Sequence, residues 1–520
     1  MSVSDRERLR QAGASPAPRA FLWEAAAIVG LVVIAAVLRF WHLSSLPAGL
    51  HGDEGWAGID ARRILDQGWI GPYTTGALGQ PSGPLYLTAA AVRLFGNSVF
   101  AVRAVPALLG VLTVPLLYVV LRRNLGVWTG IAASAFLAVM DWHVHFTRLG
   151  FPVGAWPLAV LLAVGALMEA VRSRDWRWWA LAGAAGSLGL YVYNAHPVFL
   201  AIFCLYAACM LRRWSAAVAF AAALLIVALP MIRFAANPAN GYREHSRSVS
   251  VLNKPPWTAL SGADRVRRVT HLYLDYWDQL ALHPRIDYTD GSGTTAIVPP
   301  ALAALAVLGV LLGAVYRRST PLVWFALLVL LLLPFAAVLT IDALARRTCA
   351  NAPFVAMFAA LGVVESLRML AHRAASIRYP ASAMLLALVA VCIYQNINGY
   401  FVTFAASAVN PWVFAREMAD ASRYMSGLPN GTHVYFYSGR WSGNYETRRY
   451  LAPGVEAEDR SSEFGHYSLS VAPSDAHPVF VLLNPYENRV GELRQRYPGG
   501  RLVKRFAPGG EVSFIAYEPF

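Results

Sequence analysis

Long apolar stretches alternate with short charged stretches along the first 400 residues or so of the chain. A stretch of about 18 or more apolar residues can cross the ~30 Å hydrocarbon layer of a membrane as a helix. Such stretches lie at about 22–41, 102–121, 126–144, 152–171, 178–194, 197–211, 215–232, 296–315, 321–341, 350–367 and 380–398. The pattern therefore predicts a polytopic, all-α membrane protein with about eleven transmembrane helices.

Composition supports this prediction. Of 520 residues, 57% are hydrophobic and only 14% are charged, whereas a soluble domain has about 25% charged residues. The net charge of +14 would suggest nucleic acid in a soluble protein. Because the chain has no long basic run and no basic stripe interleaved with aromatic residues, we expect membrane lipids and no nucleic acid among its partners.

Arginine collects at every second boundary between the predicted spans. The arginines concerned are Arg6, Arg8, Arg10, Arg19, Arg122, Arg123, Arg172, Arg174, Arg177, Arg212, Arg213, Arg317, Arg318, Arg368, Arg373 and Arg378. With eleven spans, all of them lie on the same side of the membrane as the N-terminus. Cytoplasmic loops carry such an excess, so we predict a multi-pass protein of the cell membrane with a cytoplasmic N-terminus.

The remaining loops would face the opposite, outward side, and three of the segments on that side are long. These long segments are residues 42–101, residues 233–295 and the tail after residue 398. We predict a transmembrane domain at 1–398 and a small extracytoplasmic α/β domain at 399–520.

The predicted C-terminal domain shows a soluble pattern of turns and strands. The turn signal Pro429-Asn430-Gly431 precedes stretches of strand composition at 433–437, 479–483 and 512–517, and residues 486–497 have the pattern of a helix.

Asp53 and Glu54 form an acidic pair in the first outward loop. A structural interpretation is available: Asp53 suits an N-cap, Glu54 suits the positive end of the helix dipole, and Gly68 suits the helix end. A carboxylate at a helix start is also rigidly placed for proton abstraction, so both interpretations can hold.

The other outward loops supply a second set of polar candidates. They are Asp141, His143, His145, Arg148, Tyr191, Tyr193, His196, Asp342, Arg346 and Arg347. Residues of this kind are also typical of a membrane boundary, with Trp142 as an anchor. A zinc pair on His143 and His145 is disfavoured, because residues i and i+2 share a face only in a strand. A paired arginine on the outward side calls for an anionic partner such as a phosphate or lipid head group.

The run LPAGLHGDEGWAGIDARRILDQG, followed by GPLYLTAAAVRLFGNSVFAVRAVPALLGVLTVPLLYVVLRRNLG, resembles the opening of the GT-C membrane glycosyltransferases. The nearer relatives are glycosyltransferase family 39, the group of protein O-mannosyltransferases and aminoarabinose transferases. WHVHFTRLGF, LYVYNAHPVFL and ARRTCANAPFVAMFAALG resemble later segments of that group, so the resemblance covers roughly the first 370 residues.

The resemblance implies a GT-C bundle that transfers a sugar from a polyprenyl-phosphate-linked donor to an extracytoplasmic lipid, glycan or protein, with inversion at the anomeric carbon. It implies that Asp53 is the general base and that Glu54 supports it, with a divalent metal ion near the pair left open. We assign Arg148, Arg346 and Arg347 to the donor phosphate. We assign the following residues to the pocket wall: His143, His145, Tyr191, Tyr193 and His196.

Two other function classes stay open at this point. A transporter or flippase of lipid-linked sugars would need charged residues at the middle of the membrane facing one cavity. A non-catalytic assembly protein would have Asp53 buried as a cap with no cavity beside it. The second long loop, with Tyr242, Arg243, Glu244 and His245, is predicted to cover the acceptor entrance.

Overall fold

The computed structural model describes residues 18–283, 289, 291, 293, 296–341, 344–461, 468–472 and 477–519. The predicted N-terminal arginines Arg6, Arg8 and Arg10, and the loop residue Asp342, lie outside these residues.

Helices dominate the first half of the chain. They are α1 Pro18–Phe40, α2 Gly52–Gln67, α3 Gly83–Phe95, α4 Val99–Leu125, α5 Val127–Val139, α6 Asp141–Arg148, α7 Trp156–Ser173, α8 Trp176–Leu188 and α9 His196–Met210. A short antiparallel pair, β1 Tyr73–Thr74 and β2 Gln80–Pro81, lies between α2 and α3.

The helical part continues to residue 404. Its helices are α10 Trp214–Ala236, α11 Tyr242–Val249, α12 Gly262–Ala281, α13 Pro300–Tyr316, α14 Pro321–Leu332, α15 Phe335–Val338, α16 Leu344–Arg347, α17 Ala352–Ala371 and α18 Ala375–Asn398. The last helix continues as a π-helical segment, Gly399–Phe404.

Each of the eleven predicted spans coincides with a helix or a helix pair. In the described part of the chain, seven helices are long and apolar enough to cross a membrane. The pair α5–α6, bent by 55°, would make an eighth span, and α9 and α13 are shorter apolar helices. A multi-pass, mainly helical membrane protein is therefore confirmed, and the count of eleven stays a prediction.

Close backbone approach sets the packing of α13 against α17. A Cβ on Gly362 would collide with the carbonyl oxygen of Leu305, and one on Gly309 with that of Phe358. Small residues allow helices to approach this closely inside a membrane, where packing rather than the hydrophobic effect drives association. The glycines thus bring a late helix against α13 and fix this side of the bundle.

A five-stranded sheet forms the C-terminal part. Its elements are α19 Val409–Val413, α20 Arg416–Met425, β3 His433–Tyr437, α21 Glu446–Leu451, β4 Glu456–Asp459, β5 Pro478–Leu482, α22 Val490–Arg496, β6 Arg501–Phe506 and β7 Val512–Glu518. The strand order is β4-β3-β5-β7-β6. β3 is parallel to β4 and β5, whereas β7 is antiparallel to β5 and β6. The predicted small α/β unit is confirmed, with all three predicted strands in the sheet.

The C-terminal part packs directly on the first outward loop. Tyr450 and Leu451 of α21 share a buried apolar cluster with Ala57, Ala61 and Ile64 of α2. Residues of α3 and of the start of α4, together with Leu50 and Ala419, complete this cluster. α2 therefore lies between the membrane helices and the C-terminal sheet.

Candidate active site

A cavity of about 330 Å³ opens where the predicted outward loops meet. Its wall contains Asp53 and residues from the segments 77–81, 151–153, 192–198, 245–252 and 335–347. These segments lie at the ends of, or in the loops after, the first, third, fifth, seventh and ninth predicted spans. All five loops that the arginine pattern places on one side thus contribute to one cavity.

The start of α2 holds Asp53 at the cavity. His51 is the N-cap: its Nδ1 accepts from the Asp53 N–H at 3.1 Å, and its own N–H donates to Glu54 Oε2 at 3.0 Å. This is a capping box with histidine in place of serine or threonine. The prediction of Asp53 as N-cap is therefore wrong, because Asp53 lies inside the first turn. Its side chain, 37% exposed, is free to face the cavity.

Arg346 is the direct partner of Asp53. The Arg346 Nη1 lies 3.3 Å from the Asp53 Oδ2, and the guanidinium stacks over the Phe151 ring at 4.6 Å from its centroid. Arg347 lines the same cavity. Among the described lining residues, one carboxylate and two guanidiniums are charged, and this excess of positive charge favours an anionic ligand.

His245 of α11 forms another polar part of the wall. Burial and the nearby charge of Arg347 lower the pKa of His245 to about 4, against the weaker effect of a hydrogen bond with Leu78. The ring is therefore neutral at neutral pH, with one nitrogen that donates a hydrogen bond and one that accepts. From the sequence, His245 is predicted to lie in a loop that covers the acceptor entrance. In the structure, His245 lines the cavity itself.

Tyr193 is the one predicted aromatic wall residue that reaches the cavity. Its ring packs against Trp156 at 4.9 Å between centroids. The neighbouring Asn194 donates to the Gly79 carbonyl at 2.8 Å, which ties the third outward turn to the first loop.

Tyr191 and His196 are not among the cavity-lining residues. The Tyr191 hydroxyl donates to the Val227 carbonyl at 2.6 Å and so ties this turn to α10. The His196 Nδ1 accepts from the Trp156 indole at 2.9 Å, so its Nε2 carries the proton and donates to the Gly186 carbonyl at 2.7 Å. Both ring nitrogens are thus used in holding the packed structure.

The two histidines of α6 also lie away from the cavity. His143 Nδ1 accepts from the Arg39 guanidinium at 2.6 Å. His145 Nε2 lies 3.2 Å from the Thr289 carbonyl, and its ring packs edge-on against Tyr400. These residues anchor α6 inside the bundle.

Arg148 is occupied by the backbone. Its guanidinium donates to the carbonyls of Leu38, Trp41 and Leu46 at 2.7–2.8 Å. These carbonyls belong to the last turn of α1 and the chain just after it, where carbonyls lack helical partners. The structure therefore does not bring Arg148 to the cavity as a phosphate ligand.

Glu54 is fully buried and paired with Arg103. Its two oxygens accept from the Arg103 Nε and Nη2 at 2.8 and 2.9 Å, and also from the backbone N–H groups of Gly150 and His51. Burial alone would raise the pKa of Glu54, but the charge and hydrogen bonds of Arg103 outweigh it and hold that pKa below its ordinary value. Glu54 thus ties α2 to α4 and to the second loop.

A metal ion shared by Asp53 and Glu54 does not fit these residues. The Glu54 oxygens accept from four donors, and Glu54 is not among the cavity-lining residues, so it does not offer Asp53 a second carboxylate. Within the described ranges, no group of three or more His, Cys, Asp or Glu side chains could hold a metal.

An apolar helix bundle whose loops on one side enclose a carboxylate and two arginines defines a membrane protein with a candidate transfer site for an anionic substrate. Comparison with known proteins agrees with this class. Residues 79–234 match the family model described as dolichyl-phosphate-mannose-protein mannosyltransferase. No curated protein sequence matches the chain significantly.

Solved structures match over nearly the whole chain. ArnT from Cupriavidus metallidurans in the apo state is 12% identical, with a TM-score of 0.54 over 96% of this chain and 98% of that one. The oligosaccharyltransferase of Archaeoglobus fulgidus in the apo form is 15% identical, with a TM-score of 0.54 over 95% of this chain and 74% of that one. The archaeal oligosaccharyltransferase AglB from Archaeoglobus fulgidus, in complex with an inhibitory peptide and a dolichol-phosphate, has a TM-score of 0.52 at 15% identity, over 96% of this chain and 74% of that one.

The resemblance to the GT-C glycosyltransferases is therefore confirmed. The chain shares the fold of ArnT and of the archaeal oligosaccharyltransferase.

Proposed function

We propose that this protein is a glycosyltransferase that moves a sugar from a lipid-phosphate-linked donor to an acceptor on the outward side of the membrane. The observation that carries the proposal is the position of Asp53, whose carboxylate lies at a cavity beside Arg346 and Arg347. The cavity thus offers a base and an anion-binding pair within one space.

Asp53 would act as general base in a single displacement. The acceptor oxygen attacks the anomeric carbon while its proton passes to the Asp53 carboxylate. The bond from that carbon to the phosphate oxygen breaks, and the electron pair leaves with the lipid phosphate, so the anomeric centre inverts. A phosphate leaves as a stabilised anion and needs no strong general acid, so one carboxylate and positive charge suffice.

A lipid-linked donor agrees with the location of the site. We place the N-terminus in the cytoplasm and the cavity on the outward face. Nucleotide sugars are not available as donors outside the cytoplasm. The dolichol-phosphate bound to the structurally similar AglB supports a polyprenyl phosphate as carrier. Arg346, which now pairs with Asp53, would exchange that partner for the donor phosphate and release the carboxylate for the acceptor.

The acceptor would be an extracytoplasmic lipid, glycan or protein that approaches beneath α11. His245 and Ser246 of this helix line the cavity, and a neutral His245 can hydrogen-bond a sugar or acceptor hydroxyl. We assign the transmembrane domain to residues 1–398 and the domain that closes over its loops to 399–520.

The described residues favour neither alternative function. The charged residues of the cavity, Asp53, Arg346 and Arg347, lie in loops rather than at the middle of a span, which a transporter path would require. An assembly protein would have Asp53 buried as a cap, whereas His51 is the cap and Asp53 lines a cavity.

The direct test is to incubate the purified protein with a panel of polyprenyl-phosphate sugars and extracytoplasmic acceptors and to measure the polyprenyl phosphate released. We expect release from one donor class, dependent on acceptor. Absence of release from every donor and acceptor, with the protein folded, would count against the glycosyltransferase.

Loss of the Arg346 charge is expected to weaken donor binding. In Arg346→Gln, KM for the donor should rise about tenfold or more, since a charge-assisted hydrogen bond is worth about 1.5–3 kcal/mol. The matched control is Arg63→Gln: Arg63 is exposed on α2 and bonds only Gln67 among the described residues. An unchanged donor KM in Arg346→Gln would remove this residue from the phosphate site.

A further inference from the structure

One face of α2 consists of glycines. Gly52, Gly55 and Gly58 follow at three-residue intervals, so they lie on one side of the helix. A Cβ on Gly52 would lie 2.7 Å from the Tyr445 hydroxyl, and one on Gly55 would lie 2.7 Å from the backbone of Glu446. The glycine face is therefore shaped to receive the C-terminal part of the chain, in direct backbone contact.

Tyr445 reaches the residue that precedes Asp53. Its hydroxyl accepts from the Gly52 N–H at 3.0 Å. N–H groups in the first turn of a helix have no partner within the helix, so a side chain that accepts from one fixes the helix start. The Tyr445 ring packs on Trp441 at 4.5 Å, which holds the hydroxyl in place.

Two further contacts hold the same surface together. The Thr447 hydroxyl donates to the Leu50 carbonyl at 2.7 Å. The Tyr450 hydroxyl accepts from the Ser98 N–H and donates to the Ser98 carbonyl, at 3.1 and 3.0 Å. The docking surface thus runs from the segment before Asp53 to the start of α4.

The docking helix α21 is joined firmly to the sheet. The Arg448 guanidinium donates to the Gly443 and Val455 carbonyls at 2.6 and 2.7 Å, on either side of α21. The Gly443 N–H donates to Asp459 of β4 at 2.6 Å. These short hydrogen bonds fix the position of α21 relative to the sheet, and Tyr445 extends this connection to the start of α2.

We propose that the C-terminal α/β unit is a positioning element of the active site, and that Tyr445 is the residue through which it fixes Asp53. The inference rests on the proposed function, because positioning has meaning only if Asp53 takes part in turnover. Tyr445 does not line the cavity, so it acts through the backbone at Gly52. A general base must lie within hydrogen-bond reach of its proton, and a displacement of 1 Å can cost about 10²-fold in rate.

The test compares Tyr445→Phe with Tyr424→Phe in the full-length protein. Tyr424 also belongs to the C-terminal unit, and its hydroxyl donates to Glu518 at 2.8 Å, away from α2. Each variant removes one hydroxyl that makes one hydrogen bond. We expect kcat for polyprenyl phosphate release to fall on the order of 10-fold in Tyr445→Phe, with donor KM nearly unchanged. Tyr424→Phe should keep the wild-type kcat. The Tm of the two variants should fall by similar amounts, because each loses one hydrogen bond.

Amide hydrogen exchange gives a readout independent of activity. Exchange in peptides covering residues 50–57 should rise in Tyr445→Phe and stay at the wild-type level in Tyr424→Phe. A wild-type kcat in Tyr445→Phe, or unchanged exchange at the start of α2, would overturn the positioning role while leaving the glycosyltransferase intact. If the wild-type protein released no lipid phosphate from any donor, the proposed function would fail instead, and exchange would still decide whether Tyr445 holds the helix start.

Discussion

Asp53→Asn is expected to lose about 10²- to 10⁴-fold in kcat for polyprenyl phosphate release, the range that general-base catalysis contributes. Asparagine has nearly the same shape and keeps an oxygen for the Arg346 hydrogen bond, but it cannot take the acceptor proton. The helix start should persist, because the cap contacts are made by His51 and Glu54 rather than by the Asp53 side chain. Turnover is measured at saturating donor, with thermal unfolding measured alongside.

Asp66→Asn is the matched control for this variant. Asp66 lies near the other end of the same helix, is exposed and does not line the cavity. Its substitution removes the same charge and should leave kcat at the wild-type level. Near wild-type turnover in Asp53→Asn would show that another group takes the proton, and would remove Asp53 from the role of base.

Segments with a strong local pattern were predictable. The apolar spans and the strands β3, β5 and β7 follow from runs of residues that the sequence shows directly. The two strands of the C-terminal sheet that were not predicted, β4 and β6, lie at its edges and have the sequences EAED and RLVKRF. Charged residues on edge strands oppose aggregation. Because of these charges, the composition of the two segments does not indicate a strand.

The candidate site was predictable only in part. Asp53, Arg346 and Tyr193 were placed on the outward side by the arginine pattern and the family resemblance, and they do meet at one cavity. Glu54 could not be placed, because its partner Arg103 is 49 residues away, and a single sequence does not show such pairs. An arginine that binds backbone carbonyls at a helix end, as Arg148 does, has the same sequence pattern as one that binds a phosphate, so the sequence could not distinguish these roles.

Glu54→Gln is expected to destabilise the protein by about 3 kcal/mol, because it leaves the buried Arg103 charge without its counter-charge. Gln has the same volume, so the loss reports charge and hydrogen bonding rather than a cavity. Unfolding is followed by heating in detergent. Glu24→Gln is the control: Glu24 pairs with the partly exposed Arg122, and such a pair is worth about 0–1 kcal/mol.

The pH dependence of stability distinguishes a structural role of Glu54 from a catalytic role. Because the folded-state pKa of Glu54 is lowered, its contribution to stability is fully present above the unfolded value of about 4.3 and is lost as pH falls through the folded value. The Tm gap between the wild-type protein and Glu54→Gln should therefore be constant from neutral pH to about pH 5 and should narrow on further acidification. Below its Tm, the variant should keep turnover within a few-fold of wild type, since Glu54 faces Arg103 and not the cavity. A variant with wild-type Tm and no turnover would instead restore Glu54 to the supporting catalytic role that the family resemblance implies.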